Sequence, residues 1–548
     1  MTTAEKVSVV IPVFNEAANI VPCLRALDQA LRGLEHEILV CYDFDQDTTL
    51  PAIAAMPDPP AGLRLVKNTL GPGAAFALRA GMLAAEGDVV VTMMADLSDP
   101  PEVVPSMARE IRAGADVVSG SRYMKGGWQK GGPVLKRLLS QAAGRSLRWI
   151  AGLGTSDATT NFRAYRRDFL RSVSIESTAG FELALELTVK AHLAGGRVSE
   201  VPSGWTDRVA GESRFRLWKW LPRYLRWYVR AMGAPAFVGS VFLVLLTATA
   251  VVSWRHAPAL PVLDEWVHVS RVVGDEPLTL EWLWSSHNDH RIPLPKLAGQ
   301  GLARLAGMEG RWESLANVML LGAAAAVLLA ALRRWRGRLV WTDACVPMLL
   351  LNWAQWENLA WPFQIAFVGV VVLVALFLAV FLRRPGEAVG GRGILAGVIL
   401  VLLPLCGAPG LPLAAALGAW WVAAGPGPRL VRGVAGAATL LLMGLYFVGY
   451  EKQPDLPPPP DAPLMMAVTA QALGAFLGHV GEATWPASAV PALAGPLLAA
   501  FLLAEAWRRR PAWRVPAGVL LAALAGLGGV AAAIAYGRGA GWPLAGFT

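Results

Sequence analysis

The segment Met94 to Pro101, MADLSDPP, holds the densest chemistry in the chain. Asp96 and Asp99 follow the apolar run Asp88 to Met93, so two carboxylates stand where a strand would end. Mg²⁺ and Mn²⁺ favour carboxylate, phosphate and water oxygens, and one or two acids at a strand end can hold such an ion while a diphosphate completes its shell. Asp99-Pro100-Pro101 also reads as a helix cap followed by first-turn prolines. Three more polar clusters take the same position after a β-branched run. Asn15 and Glu16 follow Val7 to Pro12, Asp43, Asp45 and Asp47 follow Glu37 to Tyr42, and Gly71-Pro72-Gly73 follows Leu63 to Lys67. The glycine turn would let backbone approach a ligand and open a helix, or it is a plain turn, and the three aspartates also suit a solvated loop.

The elements that must position these groups are legible as a pattern. The four runs, with a fifth at Asp116 to Ser119, alternate with helix-like stretches such as Asn15 to Leu31 and Gly73 to Ala85. Such alternation implies an α/β domain, a mostly parallel sheet with helices on both faces. Ligands of such sheets sit outside the carboxyl ends of the strands, which is where all four clusters fall.

PVFNEAANI at 12–20, GPGAAFALRAGMLAAEGD at 71–88, MADLSDPPE at 94–102, GSRY at 120–123, DATTNFRAYRR at 157–167 and DRVAGESRFR at 207–216 together resemble family 2 glycosyltransferases of the dolichol-phosphate mannosyltransferase and polyprenyl-phosphate glycosyltransferase type. The resemblance covers roughly residues 6–232. It implies a glycosyltransferase A fold, a nucleotide-diphosphate sugar as donor, a polyprenyl phosphate lipid as acceptor and Mg²⁺ or Mn²⁺ as cofactor. Pro12, Asn15 and Glu16 would line the nucleotide pocket with Asp43, Asp96 would bind the metal, and Arg122 and Arg214 would meet phosphates. Met94 stands where the family has the first acid of Asp-x-Asp, which leaves Asp96 with Ser98 or Asp99 as the ligand set and the metal's geometry and identity open. Asp157 would orient the reacting groups, or would cap the turn at Ala158 to Thr160.

The acceptor named by the resemblance fixes a mechanism. A phosphate monoester has its second pKa near 6, so its oxygen is largely ionised at neutral pH and can attack an anomeric carbon without a strong base. Direct attack inverts that centre. The protein would align two anions and neutralise the departing diphosphate. Gly132 to Leu153 mixes leucines with Lys136, Arg137, Arg145 and Arg148, an amphipathic pattern suited to a bilayer surface. Arg214 to Arg230 interleaves basic residues with Trp218, Trp220, Tyr224, Trp227 and Tyr228, which suits an anionic lipid headgroup or simple anchoring.

The 548 residues are 55% hydrophobic and 16% charged, too oily for an ordinary soluble protein, and the oil lies mostly beyond Met232. The expected division is a soluble domain at 1–232 and an all-α polytopic membrane domain at 233–548. Basic residues gather beside apolar segments, so the net charge of +9 points to anionic lipid and membrane topology and away from nucleic acid. Cys23, Cys41, Cys345 and Cys406 have neither disulfide-framework nor zinc spacing. Apolar segments fall near 236–254, 316–332, 340–352, 358–381, 393–407, 410–424, 433–450, 488–506 and 515–536, about nine helices, of which the third, fifth and sixth are short enough to be re-entrant. With no cleavable leader at its start, the first domain is expected on the cytoplasmic side of the cell's inner, plasma membrane. The basic stretches Arg333 to Arg338, Arg383 to Arg392, Arg429 to Arg432 and Arg508 to Arg514 then all fall inside.

That topology puts a loop at about 255–315 on the outer side. It contains Asp264-Glu265 and His287-Asn288-Asp289-His290-Arg291 among Trp266, Trp282 and Trp284, more ionisable groups than a connection needs. An acid pair after the first membrane helix loosely resembles integral-membrane glycosyltransferases of the C superfamily, in which an outer-loop acid is catalytic and the donor is a polyprenyl-phosphate sugar. On that reading Asp264 or Glu265 activates an acceptor. A lipid flippase or an anchor are the competing expectations for the membrane half, and a transporter or structural membrane protein with a non-catalytic nucleotide-sugar-binding head is the competing expectation for the whole chain.

Overall fold

The computed structural model describes residues 6–178, 180–207, 217–288, 290–384, 387–388, 390–450, 460–474 and 484–538. The chain divides into two compact units, Met1–Ala236 and Phe237–Thr548.

The first unit runs β1 (Val7–Pro12), α1 (Ala17–Ala30), β2 (His36–Tyr42), α2 (Thr49–Ala54), β3 (Leu63–Lys67), α3 (Ala74–Ala84), β4 (Val89–Thr92), α4 (Val104–Arg112), β5 (Val117–Ser121), β6 (Trp128–Lys130), α5 (Val134–Ser146), β7 (Arg163–Arg166), α6 (Arg167–Ser172), α7 (Glu182–Leu193), β8 (Val198–Pro202) and β9 (Gly204–Thr206). Seven strands form one sheet in the order β3-β2-β1-β4-β7-β5-β8, and β6 pairs with β9 beside it. All ladders of the main sheet are parallel except those of β7, which runs antiparallel to both β4 and β5.

Alternation along the strands builds two cores. Val9 and Ile11 face one side with Leu24 and Leu27 of α1 and Met107 and Ile111 of α4. Val10 faces the other side with Leu78 and Met82 of α3 and Leu183 and Leu187 of α7. A sheet buried on both faces is why these strands read as continuous apolar runs and not as alternating ones. The carboxyl ends of β1, β2, β3, β4 and β5 share one rim, and the order reverses between β1 and β4, the switch point at which open α/β sheets bind their ligands. Because β7 is reversed, Thr92 at the end of β4 faces Arg163 at the start of β7. The segment 157–162 therefore reaches the same rim.

A helix of 40 residues, α8 (Leu217–His256), begins in the first unit, and the division between the units falls inside it. In the second unit α9 (Trp266–Val273), α10 (Leu280–Trp284), the two-residue strands β10 (Ser286–His287) and β11 (His290–Arg291), and α11 (Pro293–Ala306) precede the long helix α12 (Gly310–Arg336). Among the described residues six helices are long and apolar enough to cross a membrane: Trp220–His256, Gly310–Arg336, Pro362–Phe381, Arg429–Phe447, Ala489–Arg509 and Pro511–Gly537. This is the makeup of a multi-pass membrane protein, and these six helices coincide with six of the nine expected apolar segments. The apolar segment near 340–352 folds as a 3₁₀ turn and the short helix Cys345–Leu350, while those near 393–407 and 410–424 fold as shorter apolar helices, Arg392–Cys406 and Gly410–Ala424. Gly407 follows the first of these and Gly425 and Pro426 follow the second, so both helices span the expected residues and are, as their length implied, too short for a full crossing of ~20 residues.

Candidate functional site

Residues from the ends of β1, β2 and β3 form one side of the rim. Pro12 closes β1, and Asn15 then turns with φ 56°, a left-handed backbone that asparagine tolerates better than most residues. Its N–H donates to Asp47 Oδ1 at 3.0 Å and its Oδ1 accepts from Thr48 N–H at 3.1 Å, while Glu16 N–H donates to Thr49 Oγ1 at 2.9 Å. The loop after β2 is thereby clipped to the loop after β1. Asp43 accepts from Asn68 Nδ2 at 2.8 Å and from Gly73 N–H at 2.7 Å, which ties β2 to the glycine turn. Gly73 has φ 106° and ψ 167°, a conformation essentially closed to residues with a Cβ, and it opens α3. Gly71 turns with φ 152°, and its carbonyl accepts from Asn68 Nδ2 at 2.6 Å. Phe14 and Phe44 meet edge to face at 5.4 Å above this wall.

The opposite wall comes from β4, β5 and the approach to β7. Asp96, Ser98 and Asp99 are all buried, and Asp96 Oδ1 accepts from Ser98 N–H at 3.1 Å across Leu97, whose φ is 55°. Burial first, and the neighbouring charge of Asp96 second, push the Asp99 carboxyl up to about 7, against the pull of Arg122. Two carboxyls confined together in this way favour a cation between or beside them. Arg122 follows β5, and its Nε and Nη2 donate to Asp157 Oδ2 and Oδ1 at 2.7 and 2.9 Å, a two-pronged ion pair to which Arg122 N–H adds a third bond at 3.1 Å. Asp157 itself is wholly buried while the arginine side chain is 13% exposed, so of the pair only Arg122 is accessible from outside. Burial opposes the Asp157 charge, but Arg122 overcomes it and holds the carboxyl below the usual range. Asp157 Oδ1 also accepts from Thr160 N–H at 3.3 Å, so the carboxylate caps its own turn as well as holding the arginine.

Sequence reasoning passed over the groups that brace this pair. Arg163, fully buried, donates from Nη2 to the Asp157 carbonyl and from Nε to the Thr160 carbonyl, both at 2.7 Å, and from Nη1 to Thr188 Oγ1. Thr159 Oγ1 lies 2.5 Å from Ser140 Oγ on α5, and Tyr123 OH donates to the same serine at 3.1 Å, so the amphipathic helix is fastened to the loop that carries Asp157. The one available signal was Arg163 inside the apolar stretch Asn161 to Tyr165, where an unpaired charge would not be tolerated.

Along α5 and the turn that follows it, Val134, Leu135, Leu138, Leu139, Trp149 and Ile150 are exposed, and Leu147 and Ala151 are buried. Arg214 lies in 208–216, outside the described residues. Asp264 and Glu265 belong to the second unit: Asp264 Oδ1 lies 3.5 Å from His287 Nε2, and Glu265 is buried with Oε2 accepting from Val262 N–H at 3.0 Å.

Residues 8–174 match the family described as Glycosyl transferase family 2. The chain is 34% identical over 231 residues to a dolichol-phosphate mannosyltransferase of Pyrococcus furiosus, across 41% of this chain and 64% of that protein. It is 32% identical over 215 residues to an undecaprenyl-phosphate mannosyltransferase of Micrococcus luteus, across 38% of this chain and 87% of that protein. The chain belongs to glycosyl transferase family 2. The family 2 domain also superposes with a TM-score of 0.33 and 21% identity on glucosyl-3-phosphoglycerate synthase from Mycobacterium tuberculosis, solved with Mn²⁺, UDP and glucosyl-3-phosphoglycerate, over 42% of this chain and 80% of that one. The chain spans 64% of the length of the archaeal relative, and most of the second unit lies beyond the stretch that any of these proteins matches.

Proposed function

We propose that this family 2 glycosyltransferase moves a sugar from a nucleotide diphosphate to a polyprenyl phosphate at the cytoplasmic face of the plasma membrane, with inversion at the anomeric carbon. The observation that carries the reading is the two-pronged Asp157–Arg122 pair at the rim, beside the buried acids Asp96 and Asp99. An arginine whose fork is locked on one side by a buried carboxylate presents a fixed positive charge on the other, which suits a phosphate that must be held still. The relatives named for polyprenyl-phosphate mannosyl transfer support the same acceptor class and suggest mannose as the sugar to try first.

Asn15, Glu16, Asp43, Gly71 and Gly73 would line the nucleoside end of the crevice. Asp96, with Ser98 or Asp99, would hold Mg²⁺ or Mn²⁺, which supplies charge neutralisation for the diphosphate. Two buried carboxyls fit a hard divalent cation that takes its remaining oxygens from substrate and water, and among the described residues no cluster of three or more His, Cys, Asp or Glu competes for it. Arg122, joined by Arg214, would neutralise the acceptor or departing phosphate. Asp157 acts through Arg122, because its carboxylate has no path to a substrate. The acceptor is already an anion at neutral pH, so no side chain need remove a proton. The exposed apolar face of α5 would rest on the bilayer and bring the lipid phosphate to the rim. In the second unit, the outer-loop acids Asp264 and Glu265 would serve a later use of the lipid-linked sugar. The test is synthesis of lipid-linked sugar by purified protein from labelled sugar nucleotides and polyprenyl phosphate. Asp96→Ala abolishes the product if the reading is right, and an unchanged rate overturns it.

A further inference from the structure

Arg163 is among the largest side chains with no exposed surface, and it stands on β7 between Phe162 and Ala164, which both belong to the apolar core. Its guanidinium donates to three uncharged acceptors, the Asp157 and Thr160 carbonyls at 2.7 Å and Thr188 Oγ1 on α7. The Thr188 hydroxyl donates its own proton to the Ala184 carbonyl at 2.7 Å, so it meets Arg163 as an acceptor. Among the described residues no carboxylate is hydrogen-bonded to Arg163. A guanidinium is always charged, and a charge held in a core is costly unless an opposite charge answers it. Three neutral acceptors account for the fork of Arg163 but not for its charge.

The carboxylate that Arg163 faces is Asp157, and both oxygens of Asp157 are engaged by Arg122 Nε and Nη2. Two arginines thus share one carboxylate. The other groups facing Arg163 are Arg122 itself and the phenols of Tyr165 and Tyr224, which are uncharged at neutral pH. Asp99 lies within electrostatic reach of Arg122 without a hydrogen bond to it, and in the function proposed above its charge belongs to the divalent ion. The cluster Arg163, Asp157 and Arg122 therefore carries one positive charge in excess. Arg163 and Asp157 have no exposed surface, so the excess can be met from outside only at Arg122. There Nε and Nη2 are taken up by Asp157 and Thr159, while Nη1 has no partner among the described residues. An arginine–carboxylate pair by itself is neutral and attracts an anion weakly. A second arginine behind the carboxylate draws on the same negative charge and leaves the front arginine cationic, and in a water-excluded site that difference is strongly felt.

We propose that Arg163 is a positioning residue for phosphate binding: acting through Asp157, it leaves Arg122 with an unanswered charge, which Nη1 presents to a phosphate of the substrate. Its bonds to the 157–160 turn and to α7 hold that arrangement in place. That the phosphate is the departing diphosphate or the polyprenyl phosphate rests on the function proposed above; that an anion completes the cluster does not.

Thr188 offers a way to change the charge while the fork stays. In Thr188→Asp a carboxylate takes the place of the hydroxyl beside Arg163 Nη1 and gives that arginine a counter-ion of its own, whereas Thr188→Asn puts an uncharged group of the same size there. The full chain in phosphatidylcholine nanodiscs is titrated by calorimetry with geranyl phosphate and with inorganic pyrophosphate plus Mg²⁺, against empty nanodiscs as the blank. Thr188→Asp should bind at least one of these probes about 10-fold or more weakly than Thr188→Asn does. A loss confined to geranyl phosphate assigns the acceptor phosphate to Nη1, one confined to pyrophosphate assigns the departing diphosphate, and either supports the proposal. Arg163→Gln deletes the charge by a separate route, which covers the case in which Thr188→Asp misfolds. It should weaken the same probe about 10-fold or more by itself and less than about 2-fold when combined with Arg122→Gln. Equal affinity of the Asp and Asn variants for both probes overturns the proposal, because a merely structural brace would not tell the two apart. No saturable binding of either probe to the unmodified protein, or a loss in Arg163→Gln that persists in full beside Arg122→Gln, overturns it as well. Synthesis of lipid-linked sugar is measured on the same preparations, and its absence from the unmodified protein with charge-dependent phosphate binding intact would sink the first reading while leaving this one standing.

Discussion

Replacing Asp157 by asparagine keeps the shape of the side chain and reverses half of its hydrogen bonding. The carboxylate accepts from Arg122 N, Nε and Nη2 and from Thr160 N, and every one of these partners is a donor. An asparagine must point its NH₂ at one of those N–H groups, so at least one charge-assisted bond becomes a donor–donor contact and the guanidinium loses its counter-charge. Breaking a buried ion pair by removing one partner costs about 3–5 kcal/mol. Arg122 keeps some solvent access, which puts the effect toward the lower part of that range. If that free energy falls on the arginine's placement in the transition state, kcat/KM for lipid-sugar synthesis drops roughly 10²–10³-fold. A double-mutant cycle decides whether Asp157 acts through Arg122. With kcat/KM measured for Asp157→Asn, Arg122→Gln and the double variant, the double variant should be no worse than the poorer single one, a coupling of about 2–4 kcal/mol. Additive losses, with coupling under about 0.5 kcal/mol, would refute the claim that the carboxylate works only by holding the arginine.

Gly73→Ala forces a Cβ into a backbone at φ 106° and should cost about 1–3 kcal/mol, read as at least 5-fold weaker nucleotide-sugar binding by calorimetry; unchanged affinity would show that the turn relaxes freely. Glu37 is buried, and although burial opposes its charge, hydrogen bonds from Ser8, the Glu86 N–H and Arg64 hold it down at about 2. A depressed carboxylate stabilises the fold above its unfolded value near 4.5 and loses that contribution as pH falls toward 2, on the order of 3 kcal/mol. Hydrogen exchange at the β2 amides, corrected for intrinsic rates, should show this loss between about pH 4.5 and pH 2, and Glu37→Gln should remove most of the pH dependence. Chelation with EDTA should stop lipid-sugar synthesis and added Mn²⁺ or Mg²⁺ restore it; full activity in chelator would end the metal reading of Asp96. Leu138→Asp combined with Trp149→Asp should lower turnover on polyprenyl phosphate in liposomes at least 10-fold while leaving nucleotide-sugar binding intact, and equal loss of both would show that these residues only stabilise the domain.

The parallel part of the first unit was readable because its central strands are apolar on both faces, as in Val7–Pro12, and because even the edge strand Leu63–Lys67 alternates with helical stretches in the expected order. The reversed strand β7 was not readable. Arg163 and Arg166 interrupt its short apolar stretch, and what makes an arginine acceptable there is a set of carbonyls and Thr188 brought in from elsewhere in the fold. Nor does the sequence say that Asp157 is sealed behind Arg122, because the pair is 35 residues apart and its closure depends on the reversal of β7. The membrane helices were visible as hydropathy, and the two short apolar segments near 393–407 and 410–424 fold over almost the residues expected, Arg392–Cys406 and Gly410–Ala424. In the second unit the Asp264-Glu265 pair stood out in the sequence, but that Glu265 is buried while Asp264 faces His287 depends on packing the sequence does not show.

Thr92 and Arg163 sit opposite each other in the β4–β7 ladder, and Thr92 Oγ1 donates to the Asn161 carbonyl at 2.6 Å. The aspartate-bearing loop and the arginine-gripping loop are thus stitched together within a single rung, so slippage by one residue would misalign both at once. At the far end of the same ladder Arg167 bridges to Asp88, where the chain is solvent-facing and away from the crevice. That end is the place to splice in a fluorophore peptide or purification epitope, and a deletion of one residue between 158 and 162 is the shortest route to an inert enzyme.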